Sequence, residues 1–186
     1  MDTISFISQC LAQVQIRLLG SCKDLTQENV LWRPSPRSNN IGFILWHVAR
    51  GEDRRTTSLE GRATDLWESD DWYRAFGQPL NAPEPADRPG LRSLAMPSLE
   101  VLLGYLEAVH GQTRQYLSTL APEDLGAVPD PSEPERTVAS MLRHLITHKN
   151  NHHGQIDYLR GLQDETWDLT PGLGVVLPDD DYRAGS

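Results

Sequence analysis

Apolar residues recur at helical spacing in four long stretches, and proline- and glycine-rich breaks separate them. The first runs from Thr3 to about Leu19, with Ile4, Ile7, Leu11, Val14 and Leu18 on one face, and Gly20 and Ser21 stand where it would end. Thr26, with Glu28 and Asn29, starts one short helical turn before Pro34, and a loop follows. Asn39 or Asn40 caps the second long helix, Ile41 to about Leu59. From Phe43 to Trp46 that helix is apolar all round, which predicts burial between other elements. Its second half turns charged and is predicted to emerge into water.

The stretch "LWESDDWYRAFGQ" predicts a short helix in a long connection, and Pro79 to Pro97 predicts an irregular crossover. Ser98 caps a third long helix reaching about Leu120, and a second proline-rich loop runs from Pro122 to Pro134. Thr137 then caps the fourth, "VASMLRHLITHKNNHHGQIDYLRGLQ". From about 166 to 186 an extended tail is expected, frayed near Ser186, with a hint of strand only at Val175 to Leu177. The expected fold class is therefore all-α: a single domain over 1–186, an up-down-down-up four-helix bundle with long loops.

Composition narrows the partners. With 38% hydrophobic and 23% charged residues, the chain falls among ordinary globular proteins. A net charge of −9 argues against nucleic acid and against an anionic membrane surface. No apolar run reaches the roughly 18 residues of a membrane span, and the first segment reads as a helix of the fold rather than a leader. Cys10 and Cys22 would stand about 18 Å apart along one helix, beyond the reach of about 7 Å that a disulfide allows. Both are read as free thiols, and the compartment as a reducing cytoplasm. Apolar stripes on the first and third helices leave room for a homodimer.

The candidate chemistry lies in "HLITHKNNHHGQIDYLRG", which holds four of the six histidines. On a helical wheel His148 and His152 are directed most toward the core, one turn apart on one face, a spacing that lets two imidazoles share a metal ion. His144 turns toward the polar side and His153 lies on the opposite flank of the stripe. His47 follows the apolar block of the second helix, and bundles build sites where facing helices converge. His110 has polar neighbours and is expected to be exposed. By wheel alone, a partly exposed His-rich face remains open beside the metal site.

Two segments carry a resemblance. "LWRPSPRSNNIGFILWHVARGEDR" resembles the Trp-Pro loop and Trp-His helix of the DinB/YfiT-like superfamily of four-helix bundles, and "HLITHKNNHHGQIDYLRG" resembles its His-x-x-x-His followed by Gly-Gln-Ile. The resemblance implies one divalent metal held by His47, His148 and His152. It places His153 where the family often has an arginine, and His144 outside the ligand set. Three imidazoles suit zinc, nickel, iron or copper, and zinc or nickel is the expected ion. It further implies thiol chemistry: a metal-dependent S-transferase or isomerase that uses a low-molecular-weight thiol on a small-molecule substrate. Arg50 and Arg54, one and two turns past His47, are candidates to bind an acidic thiol. Gln155 is a candidate to orient a ligand or water. One alternative is hydrolysis by activated water, with Glu52 and Asp53 the nearest acids. The other is a non-enzymatic, stress-related or partner-binding bundle.

Overall fold

The computed structural model describes residues 1–83 and 86–177. Positions 84–85 of the crossover and 178–186, including the expected C-terminal fray, lie outside the described residues. The elements are α1 (Thr3–Ser21), α2 (Gln27–Leu31), α3 (Ile41–Glu60), α4 (Leu66–Ser69), α5 (Trp72–Ala75), α6 (Arg88–Ser93), α7 (Leu99–Ser118) and α8 (Val138–Gln163), with a 3₁₀ turn at Pro122–Gly126. No strand occurs among the described residues.

Side-chain caps set the helix starts. Asn40, Ser98 and Thr137 each accept from the backbone N–H three residues on, and Thr26 forms a reciprocal pair with Asn29. Gly61, in the left-handed region at φ 64°, ends α3.

Partner residues fix the directions of the four long helices. On α3 and α7 the partner numbers rise together: Arg50 with Tyr105, Thr56 with Thr113. On α1 and α8 they also rise together: Gln15 with Lys149, Ser21 with His153. Between α3 and α8 they run oppositely: His47 meets His152, and Gly51 faces His148. This is the up-down-down-up order. Because α3 and α7 are parallel neighbours, the chain must return about 30 Å between them, and the long 61–98 connection does so.

Two apolar clusters fill the bundle. The larger one gathers Leu18, Ile41, Leu45, Val48, Leu106 and Ile156. The smaller one, toward the other end, gathers Leu11, Leu59, Leu117, Leu142 and Leu145. A polar layer lies between them, and it overturns one expectation. The charged half of α3 emerges into water on one side only, at Arg54 and Ser58, while Arg50, Glu52, Asp53 and Thr56 are all buried. Each has found a partner on another element, which removes the penalty of burying it alone. Thr56 shares a hydrogen bond with Thr113 of α7.

The tail also differs from an extended strand. Residues 171–175 form turns, and Leu173 folds back onto α1 at Gly20, where a Cβ would stand 2.3 Å from its Cδ2. A larger residue at position 20 would make the Leu173 side chain shift. Cys10 and Cys22 are free thiols. No helix of the described residues is long and apolar enough to cross a membrane.

A three-histidine cluster in a basic cleft

His47 projects from α3, and His148 and His152 from the facing turns of α8. One nitrogen from each ring can be chosen so that all three lie within 4.8 Å of one another. The His47 and His148 Nε2 atoms are 3.1 Å apart. Two nitrogens on one tetrahedral ion with bonds of about 2.0–2.1 Å would be about 3.3 Å apart, so the pair is close to an edge of such a site. Gly51 permits this geometry. It lies one turn after His47, and a Cβ there would press on His148 Cε1 at 3.2 Å.

His47 and His148 are set to be neutral. Burial, the neighbouring His152 and Arg55 push His47 down to about 4. Burial, His152 and His47 push His148 down to about 3. At neutral pH both rings therefore present lone pairs, as a metal ligand must. His152 Nδ1 lies 2.9 Å from Gln155 Oε1. With that oxygen accepting, the proton sits on Nδ1 and Nε2 is left free. The donor set thus fits a divalent ion held by His47, His148 and His152.

The rings open into a cavity of about 480 Å³. Its walls include Phe43, Trp46 and the cation-bearing Arg54, Arg55 and Arg88, and no carboxylate among the described residues lines it. The crossover forms one side, through Ala82, Pro83, Arg88 and Leu91. None of these three arginines has a carboxylate of the described residues within ion-pair distance. An acidic chain has here collected unopposed positive charge.

Arg50 borders the same cavity, but its Nη1 is held by Asp65 at 2.9 Å, Tyr105 at 3.0 Å and Asp53 at 3.3 Å, with its guanidinium over the Trp67 ring. Asp53 in turn accepts from the N–H groups of Leu66 and Trp67 and from the Tyr105 hydroxyl. This knot ties α4 onto α3 and helps hold the crossover over the cleft. Arg54 is exposed and free to meet a ligand.

The remaining histidines divide. His144 is exposed and stacks on His148, with ring centroids 5.5 Å apart. His153, expected on a flank, is buried against α1 beside Ser21 and Asp157. His110, expected in water, is also buried, 3.5 Å from both Glu52 and Lys149. The most buried polar positions of α8 are therefore Lys149 and His153, while His148 and His152 sit half-buried at the edge toward α3. That edge position keeps them accessible from the cavity.

Sequence reading missed Arg55, Arg88 and Gly51 as parts of the site. Gly51 and Arg55 follow His47 at four and eight residues, so the helical face that carries His47 could have shown them. Arg88 lies in the proline-rich crossover, where no periodicity marks a direction.

Comparison with known proteins agrees with this architecture. The family model described as the DinB superfamily matches residues 11–156. The crystal structure of a conserved protein from Enterococcus faecalis superposes with a TM-score of 0.76 at 25% identity, covering 87% of this chain and 97% of its own. A search of curated proteins gives no match.

Proposed function

The chain belongs to the DinB superfamily, and from that premise we propose that it is a divalent-metal-dependent enzyme joining a low-molecular-weight, acidic thiol to a small electrophile, or using that thiol to isomerise one. The observation that carries the proposal is the pairing of three converging imidazoles, two of them held neutral, with a cavity walled by Arg54, Arg55 and Arg88 and lined by no carboxylate of the described residues.

His47, His148 and His152 would hold the ion, and Gln155 would fix the His152 tautomer. When bound, the ion supplies Lewis acidity, which favours the thiolate form of a thiol at neutral pH. The arginines attract and orient an anionic thiol, and Phe43 and Trp46 give the electrophile an apolar wall. In the transfer a carbon–sulfur bond forms, the thiol loses its proton, and the electrophile either opens or releases its leaving group. The hydrolytic alternative is less well served. Glu52 and Asp53, the acids nearest His47 in the chain, are buried and committed to Lys149 and to Tyr105, so neither serves as a base in the cavity.

Elemental analysis of purified protein should find about one divalent ion per chain, and His148→Ala should abolish it. Full metal retention in that variant would sink the three-histidine assignment. A panel of acidic thiols with a chloroaromatic electrophile should give metal-dependent coupling. Thiol-independent turnover of an ester would favour hydrolysis instead.

A further inference from the structure

A second cavity, of about 610 Å³, opens beside the first. Arg54 and Arg55 line both, so they form the saddle between them. Beyond the saddle the second cavity is walled by Arg136, Arg143 and His144, with Ser58, Ser140 and Thr147 offering hydroxyls. Its one carboxylate is Glu135. We infer that the two cavities form one anion-binding cleft, and that its ligand is an extended molecule with at least two anionic groups, one held beside the histidine cluster and another held by Arg136 and Arg143.

Three observations lead there. First, the cations outnumber the acids: Arg54, Arg55, Arg88, Arg136 and Arg143 face Glu135, on a chain with net charge −9. Second, the cations crowd one another. Arg55 lines both cavities, and burial together with the neighbouring Arg136 depresses it. A bound anion relieves that repulsion, and guanidinium forks match carboxylate and phosphate oxygens two at a time. Third, Arg136 is paired with Glu133 in an exposed contact that water screens and a ligand can replace. Arg143 lies five residues before His148 on α8, about 7.5 Å along the axis. A single small anion cannot span that, whereas an extended polyanion can.

This inference deepens the proposed function, resting on the reading that the histidine cavity is the ligand site and adding the ligand's charge and length. Its test needs no turnover. Fluorescence anisotropy of purified protein should show pyrene-tetrasulfonate binding at least tenfold tighter than pyrene-monosulfonate. Arg136→Gln with Arg143→Gln, both on exposed side chains, should remove at least tenfold of the tetrasulfonate affinity and leave the monosulfonate within about twofold. Equal affinity for the two probes in the unaltered protein, or no loss in the double variant, would overturn the cleft. His148→Ala should keep the tetrasulfonate preference, so a failed metal assignment and a failed anion cleft are read separately. Trimetaphosphate or tricarballylate should displace the probe, the stronger competitor telling phosphate from carboxylate; displacement by neither would also overturn the proposal.

Discussion

Two polar clusters both draw on α3 and α8, and they have opposite characters. Lys149 Nζ lies 2.7 Å from Glu52 Oε2 and 2.9 Å from Gln15 Oε1, with His110 alongside, and all four residues are buried. Burial alone would raise the Glu52 carboxyl, but Lys149 and His110 override it and hold it down at about 2. That cluster is closed and charge-balanced. The second cluster, His47, His148 and His152, is half-buried and bordered by Arg54, Arg55 and Arg88, which no carboxylate of the described residues pairs. The difference separates structure from function in a polar core. A group whose partners are all supplied by its own chain locks the helices together. A group whose lone pairs converge on a cavity awaits something from outside.

The largest test of this contrast is Glu52→Ala. It would leave Lys149 charged in the core without its carboxylate, at an expected cost of about 3–5 kcal/mol in urea unfolding. The neutral pair Glu52→Gln with Lys149→Met should recover most of that loss. His148→Ala, by contrast, should cost no more than about 1 kcal/mol in metal-free protein. Equal losses at the two sites would erase the distinction.

Acid should resolve the clusters next. Glu52 has a folded value near 2 against about 4.3 when unfolded. Its contribution is present above about pH 4.3 and disappears as pH falls through 2. His47 and His148 are depressed from about 6.5 to about 4 and about 3. Below 6.5 the unfolded chain takes up their protons first, so metal-free protein should lose stability as pH drops from about 6.5 toward 3. Urea midpoints against pH should show both slopes. Removing either histidine should flatten the upper one alone, and the neutral pair should flatten the lower one alone.

The smallest expected effect is the most local. Gly51→Ala places a methyl group 3.2 Å from His148 Cε1. Metal affinity should fall about tenfold, as when other groups that orient a ligand are disturbed. The gain in helix propensity leaves stability unchanged or slightly higher. Unaltered affinity in a competition titration would mean that His148 does not need the room Gly51 gives it.

How legible the protein was in its sequence depended on whether the signal was local. The starts of α3, α7 and α8 are written in Asn40, Ser98 and Thr137, because a cap is satisfied within one turn of itself. The relation of His148 to His152 follows from helical phase, and resemblance to known bundles pointed to His47 as their partner. The burial of Glu52 and His110 had no such signal. A charged residue reads as exposed until its partner is known, and Lys149 stands 97 positions beyond Glu52 in the chain.

By itself, then, the sequence determined the helices, their apolar faces and the His148–His152 pair, since each rests on contacts within a turn or on a face of one helix, while His47 joined that pair through the family resemblance. Only the tertiary structure decided that Arg50 is tied to acids while Arg54, Arg55 and Arg88 are not. It alone turned Lys149 and His153 inward and left His148 and His152 at the edge. Those outcomes depend on how α1, α3, α7 and α8 rotate against one another. The rotation is set by packing over the whole core and by pairing buried charge, and the deciding partners, Tyr105 for Arg50, Glu52 for Lys149 and Ser21 for His153, lie far away along the chain.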